Sequence, residues 1–179
     1  NCNFWLIELH KKCIVLQKII GGTLMEYVLK TNELTKTYQN KQVVNKVSMN
    51  IKRGDIYGFI GKNGAGKTTL IRMVLGLARP NHGSFELFGS QELLKARKKI
   101  GNVIETPSTY ANMTARQNLE AQRIMLGVKD KAIVNQVLET VGLTDAGKKK
   151  AKNFSLGMKQ RLGIGLALLD NPEFLILDE

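Results

Sequence analysis

The alternation of apolar and polar residues predicts several short strands in the first part of the chain. Residues 27–34 and 47–51 alternate in this way, and residues 53–55 then turn into a third apolar segment at 55–60. Residues 83–89 form another candidate strand, bounded by turns at both ends. We expect a small antiparallel β subdomain at the start of the fold.

Helical periodicity replaces this alternation in two places. The helix predicted after residue 68 ends near Pro80, and its apolar face consists of Leu70, Ile71, Val74, Leu75 and Ala78. Residues 113–142 are interpreted as a helical insertion in which Thr114 and Gln117 form a capping box. A second apolar stripe there stops at Gly142 and consists of Ile133, Val134, Val137, Leu138 and Val141.

The chain closes on an unbroken apolar run, residues 174–177, followed by Asp178 and Glu179. A continuous apolar strand is typical of a sheet that is buried on both faces. Its carboxylates would emerge at the C-terminal edge of the sheet, where α/β folds bind ligands. The predicted fold class is therefore α/β.

Residues 61–68 read Gly-Lys-Asn-Gly-Ala-Gly-Lys-Thr and match the pattern G-x-x-x-x-G-K-[ST] in full. The glycines allow successive backbone N–H groups to converge on phosphate oxygens. Lys67 would reach the β- and γ-phosphates, Thr68 would place its hydroxyl on Mg²⁺, and the following helix would add its positive dipole end. The segment is predicted to be a P-loop that binds a nucleotide.

Composition narrows the remaining function classes. The net charge is +12, from 27 Lys and Arg against 15 Asp and Glu. The basic residues cluster at 95–99 and 148–150 without interleaved aromatic residues, so we interpret them as solvated faces and expect no nucleic-acid partner. No apolar run approaches the roughly 18 residues that span a bilayer, so a membrane role would require a partner.

The first 24 residues differ from the rest of the chain. They contain both cysteines, Cys2 and Cys13, so the body has no disulfide framework and no cysteine-ligated metal site, which fits a reducing compartment. We interpret residues 1–24 as a non-native or translated leader ahead of a start at Met25, from a bacterial source. A short basic, apolar, membrane-associating arm is the alternative.

Residues 153–161 read Asn-Phe-Ser-Leu-Gly-Met-Lys-Gln-Arg and precede a helical run in which Ser155 is a good N-cap. Together with the P-loop and the closing strand, this segment resembles the signature loop of ATP-binding subunits of ABC transporters, LSGGQ in its usual form. Phe154, Leu156 and Met158 replace the usual residues, whereas Ser155 and Gly157 remain. The variant resembles the subgroup that exports, or confers immunity to, peptide antibiotics of the bacitracin and lantibiotic kind.

The resemblance covers nearly all of residues 25–179 and implies a role for each matching position. The closing strand matches a Walker B strand, with Glu179 polarising the attacking water. Mg²⁺ would be held by Thr68, Asp178 and Glu105, although most of the family has glutamine at position 105. The ATP-binding residues would be Tyr38, which stacks on adenine, together with Gly61, Lys62, Asn63, Gly64, Ala65, Gly66, Lys67, Thr68 and Thr69. The signature residues would act on the nucleotide of a second subunit and are Ser155, Leu156, Gly157 and Met158.

The implied fold is a P-loop NTPase of the ABC type with an N-terminal antiparallel β subdomain and a helical subdomain at about 108–155. Residues 25–179 would form a partial domain that lacks its C-terminal part and hydrolyses ATP poorly by itself. The implied partners are a membrane permease and a second ATP-binding subunit, which would place the protein in the cytoplasm at the inner face of the cell membrane. Two alternatives stay open: a translation- or DNA-associated ABC ATPase, and a nucleotide-binding fragment without turnover.

Overall fold

In the computed structural model, the described residues are 13–16, 26–105 and 107–178. Seven strands and five α-helices lie within these ranges. The strands are β1 (Cys13–Leu16), β2 (Tyr27–Tyr38), β3 (Lys41–Lys52), β4 (Tyr57–Phe59), β5 (His82–Leu87), β6 (Ile100–Ile104) and β7 (Phe174–Asp178). The helices are α1 (Lys67–Val74), α2 (Leu93–Arg97), α3 (Ala115–Met125), α4 (Ile133–Thr140) and α5 (Leu156–Leu168).

An antiparallel sheet with the order β3-β2-β5 forms the β subdomain. The alternating residues of β2 and β3 bury one set of side chains, among them Val28, Leu34 and Ile51. These pack in one apolar core with side chains of α1, including Met73, and of β7, including Phe174. The antiparallel sheet is thereby packed against the helix that follows the P-loop.

The second sheet has the strand order β4-β1-β7-β6 and holds the strands that end at the P-loop and at Asp178. β6 and β7 run parallel, whereas β1 lies between β4 and β7 and is antiparallel to both. Apart from Cys13–Leu16, the proposed leader at residues 1–24 lies outside the described residues, so its origin stays a prediction. The pairing of β1 nevertheless makes this short segment part of the sheet.

Helices α3 and α4 occupy the predicted insertion and pack on α5 around a second apolar core. The capping box of α3 is present: the backbone N–H of Gln117 donates to the Thr114 hydroxyl at 3.2 Å, and the backbone N–H of Thr114 donates to the Gln117 side chain at 2.9 Å. Ser155 caps α5 by accepting from the backbone N–H of Met158 at 3.3 Å. The signature segment therefore begins a helix anchored in this second core.

An ion-pair cluster lies at the start of β7. Glu173 accepts a hydrogen bond from Arg53 at 2.9 Å and contacts Lys99 at 3.0 Å, and the side chains of Arg53 and Glu173 are only 23% and 26% exposed. The hydrogen bond from Arg53, followed by that from Lys99, lowers the pKa of Glu173 below its ordinary value of 4.5. This cluster ties the turn before β4 to the start of β7.

Glu173→Gln is expected to lower the free energy of unfolding by about 1 kcal/mol at neutral pH. A carboxyl whose pKa is depressed in the folded state contributes stability above its unfolded value and loses it as the pH falls through its folded value. The acid-side loss of stability below about pH 4.5 should therefore shrink in the variant. Urea denaturation between pH 3 and pH 7 measures the free energy of unfolding of both proteins. The control is Glu92→Gln, which removes the carboxylate of the exposed pair with Lys95. Identical curves for the wild type and Glu173→Gln would contradict the prediction.

Candidate nucleotide-binding site

The P-loop connects β4 directly to α1, and its geometry depends on glycine at position 66. Gly66 has φ 89°, in the left-handed region, and a Cβ atom there would lie 2.3 Å from the carbonyl oxygen of Val43 on β3. No described side chain caps α1, and its first turn contains no acidic residue. The N–H groups at the start of α1 are therefore available to an anion.

Lys67, the first residue of α1, folds back over the loop. The residue is 7% exposed, and its ammonium donates to the carbonyl oxygens of Gly61 at 2.9 Å and Lys62 at 3.2 Å. No ion pair joins it to an acidic side chain within the described ranges. The loop thus positions a buried positive charge with its own carbonyl groups.

An open cavity of about 400 Å³ lies over the loop. The structure brings together here most of the P-loop and two predicted metal ligands from other segments. The lining residues are Val43, Asn63, Gly64, Gly66, Lys67, Thr68, Thr69, Glu105 and Asp178. Gly61, Lys62 and Ala65 belong to the loop but do not line the cavity.

The two carboxylates reach the cavity because β6 and β7 are parallel neighbours. Asp178, the last residue of β7, pairs with Ile104, the last residue of β6, and Glu105 follows directly. Asp178 is 2% exposed, whereas the side chain of Glu105 is 63% exposed. Glu179 lies outside the described residues, so its catalytic role stays a prediction.

The oxygen donors of the cavity fit Mg²⁺. They include the Thr68 hydroxyl and the carboxylates of Asp178 and Glu105, and oxygen is the ligand that Mg²⁺ prefers. The described part of the chain contains no group of three or more His, Cys, Asp and Glu residues that could hold a metal by itself. Such a sparse donor set suits an ion that takes its remaining ligands from nucleotide phosphates and water.

Arg72, which no sequence motif marks, contacts Glu105 at the cavity. Its guanidinium donates to the Glu105 carboxylate at 2.7 Å. Arg72 lies four residues after Thr68, so the two share one face of α1. This spacing alone could have predicted that Arg72 lies near the P-loop. The partner could not be deduced, because Glu105 is 33 residues away in the sequence.

Tyr38 ends β2 and is 46% exposed. The ammonium of Lys36 lies 4.9 Å from the centre of its ring, a distance typical of a cation–π contact. Tyr38 does not line the cavity over the P-loop. Its stacking on adenine therefore stays a prediction that the exposed ring permits.

The structure does not bring the signature residues to this cavity. Ser155, Leu156 and Gly157 are exposed at the start of α5, and Met158 is half-buried beside Lys149. Apart from its chain neighbours and the backbone of its own helix, a Cβ atom added at Gly157 would meet no described heavy atom within 4 Å. The segment presents an open surface.

Residues 44–179 match the family model described as ABC transporter. The chain belongs to the ABC transporter family. The predicted fold class, an α/β P-loop domain of the ABC type, is confirmed by solved structures as well. The ATP-binding subunit of an ABC transporter shares 26% identity with this ABC domain, with a TM-score of 0.67 over 81% of this chain and 63% of the other. MJ0796, a dimeric ATP-binding cassette in a post-hydrolysis state bound to ADP and Pi, shares 27% identity, with a TM-score of 0.67 over 80% of this chain and 70% of the other.

The predicted resemblance to the peptide-antibiotic subgroup is also confirmed. The ABC domain is 50% identical to the bacitracin transport ATP-binding protein BcrA of Bacillus licheniformis over 87% of this chain and 52% of BcrA. It is 42% identical to the lantibiotic transport ATP-binding protein SrtF of Streptococcus pyogenes over 85% of this chain and 66% of SrtF. The chain thus spans about half to two thirds of the length of these relatives. Within the described ranges, no helix combines the length and apolarity needed to cross a membrane.

Proposed function

We propose that this chain is the ATP-binding and ATP-hydrolysing part of a membrane transporter that exports, or confers resistance to, peptide antibiotics. The observation that carries the proposal is the cavity in which Lys67, Thr68, Glu105 and Asp178 meet at the start of α1. A buried cation, uncapped helix amides and oxygen donors in one place suit a phosphate chain with its metal. The relatives named for bacitracin and lantibiotic transport support the transporter class.

The residues of the loop would bind and orient ATP. Lys67 would exchange its two carbonyl contacts for oxygens of the β- and γ-phosphates, and the backbone N–H groups of the loop would surround the remaining oxygens. Thr68, Asp178 and Glu105 would hold Mg²⁺, which supplies neutralisation of the charge that develops on the phosphates. Glu179 would orient the attacking water and polarise it.

A second copy of the domain would complete the site. Ser155 and Gly157 lie away from the cavity of their own chain and are exposed at the N-terminus of α5, where the positive end of the helix dipole favours an anion. In a head-to-tail dimer each signature segment would reach the γ-phosphate held by Lys67 of the other copy. The open space around Gly157 supports this arrangement.

Glu179→Gln, made in the full-length protein, is expected to retain ATP binding and to lose hydrolysis. The amide keeps the shape of the side chain but cannot polarise the water, so the rate should fall by about 100-fold or more. ATP-bound dimers should accumulate in size-exclusion chromatography. Turnover within a few fold of the wild type would place the catalytic role elsewhere, and failure of both proteins to bind ATP would overturn the proposed function.

The proposed partner is a permease, and the proposed location is the cytoplasmic face of the cell membrane. Exposed apolar side chains support a protein partner: Tyr110, Ile124 and Met125 are 51%, 64% and 70% exposed. Met125 also lines a groove of about 690 Å³ between β6, α3 and α5, and the Tyr110 hydroxyl donates to its sulfur at 3.8 Å. We propose that the permease binds at this groove.

A gene for a multi-span permease next to this gene would support transport, and a neighbouring regulator of the antibiotic response would support the resistance subgroup.

Met125→Glu should abolish co-purification with that permease, because it places a charge in an apolar contact that must lose its water. ATP affinity should stay unchanged, because Met125 does not line the P-loop cavity. Met125→Leu is the matched control, since it keeps the apolar character at similar volume. Normal co-purification of Met125→Glu would show that the permease binds elsewhere.

A further inference from the structure

We propose that Arg72 is a positioning residue that competes with Mg²⁺ for the carboxylate of Glu105 and thereby sets the metal requirement of nucleotide binding. The inference rests on the proposed function, because it assigns Arg72 a role at the same ATP site. The observation behind it is the contact of 2.7 Å between the Arg72 guanidinium and the Glu105 carboxylate.

Geometry places this pair at the rim of the cavity. Arg72 lies one turn beyond Thr68 on the same face of α1. Glu105 directly follows β6, whose last residue pairs with Asp178. Glu105 also lines the cavity with Thr68 and Asp178. The carboxylate thus has two alternative positive partners, the guanidinium and an ion held by Thr68 and Asp178.

The backbone of Glu105 indicates that its position is imposed by its surroundings. Its φ is 56°, in the left-handed region that a glutamate seldom adopts. Such a conformation persists only where surrounding contacts hold it, and it is typical of functional sites. The contact with Arg72 holds the Glu105 side chain in this arrangement.

The strength of the pair suits an exchange of partners. The side chains of Arg72 and Glu105 are 45% and 63% exposed, so water and salt screen their attraction. A divalent ion at the cavity attracts the same carboxylate more strongly than a screened guanidinium does. Arg72 therefore neutralises Glu105 in the metal-free protein, and Mg²⁺ displaces Arg72 from the carboxylate when the ion binds.

The pair predicts a specific coupling between residue 72 and residue 105. In Arg72→Gln, Glu105 is not neutralised and is available to the ion. The Mg²⁺ concentration that half-saturates a fluorescent ATP analogue should then fall by about threefold to fivefold, and affinity for the analogue in EDTA should weaken by a similar factor. In the Glu105→Gln background, Arg72→Gln should change this Mg²⁺ midpoint by less than half as much, because the carboxylate for which Arg72 and Mg²⁺ compete is absent.

The experiment is a double-mutant cycle of Arg72→Gln and Glu105→Gln, read by analogue binding across a Mg²⁺ titration. Arg72→Lys should restore most of the wild-type midpoint. Lys95→Gln, which loses one charge in the exposed pair with Glu92, should leave the midpoint unchanged. Equal shifts in both Glu105 backgrounds would reveal a general field effect, and no shift in either would reveal a surface pair without function. Both outcomes overturn the inference.

Lys67→Ala, measured in parallel, separates this inference from the proposed function. Loss of analogue binding in Lys67→Ala together with an uncoupled cycle would overturn only the role of Arg72. Binding that does not depend on Lys67 would overturn the proposed site itself.

Discussion

Lys67→Ala is expected to weaken ATP binding in the presence of Mg²⁺ by about 100-fold or more. Lys67 is the only cationic side chain among the described residues that line the cavity. It is already positioned by the carbonyl groups of Gly61 and Lys62, so little further ordering is needed when phosphates arrive. Its loss leaves a site whose remaining donors are mainly backbone amides.

Lys62→Ala is the matched control for this substitution. Lys62 lies in the same loop, but its side chain is exposed and does not line the cavity, so any contact of Lys62 with ATP would come from its backbone. Its contribution to the position of Lys67 comes from the backbone carbonyl, which the substitution retains. Isothermal titration of both variants, with thermal denaturation to verify folding, should show a loss for Lys67→Ala only. Unchanged affinity in Lys67→Ala would mean that the loop is not the phosphate site.

Gly157→Ala, made in the full-length protein, should reduce ATP hydrolysis by about 100-fold while ATP binding to the monomer stays intact. Apart from its chain neighbours and the backbone of its own helix, a methyl group at position 157 meets no described heavy atom within 4 Å, and alanine favours a helix more than glycine does. The thermal stability should therefore be unchanged or slightly higher. A loss of hydrolysis would then come from the surface that Gly157 presents to a second copy.

Gly163→Ala, on the same helix, should destabilise the fold. A Cβ atom there would lie 2.3 Å from Cγ and 2.6 Å from Cβ of Pro107, so the helix or the proline must move. Such overpacking should lower the free energy of unfolding by about 1–3 kcal/mol. Denaturation curves, ATPase rates and ATP-dependent dimerisation of the two variants separate contact between copies from packing within one copy. Full hydrolysis in Gly157→Ala would count against a signature that acts on the second subunit.

Sequence patterns by themselves determined those parts of the protein that depend on local chemistry. The P-loop between β4 and α1, the capping box of Thr114 and Gln117, and the Ser155 N-cap each involve residues a few positions apart. The buried strand β7 was readable as well, because a strand covered on both faces cannot carry polar residues between its ends. Hydrogen-bonding needs and hydrophobic periodicity determine such features locally, so no distant contact had to be known.

The tertiary structure decided which distant residues meet. The Val43 carbonyl that requires glycine at position 66 comes from another sheet, and the approach of Glu105 to Arg72 depends on the position of β6 beside β7. The insertion of Cys13–Leu16 between β4 and β7 likewise followed from no local pattern. Pairings of this kind depend on strand order and on the packing of whole elements, which the order of residues along the chain does not specify locally. For this reason the sequence by itself predicted the P-loop between β4 and α1, whereas only the fold revealed that Arg72 lies beside Glu105, a predicted metal ligand.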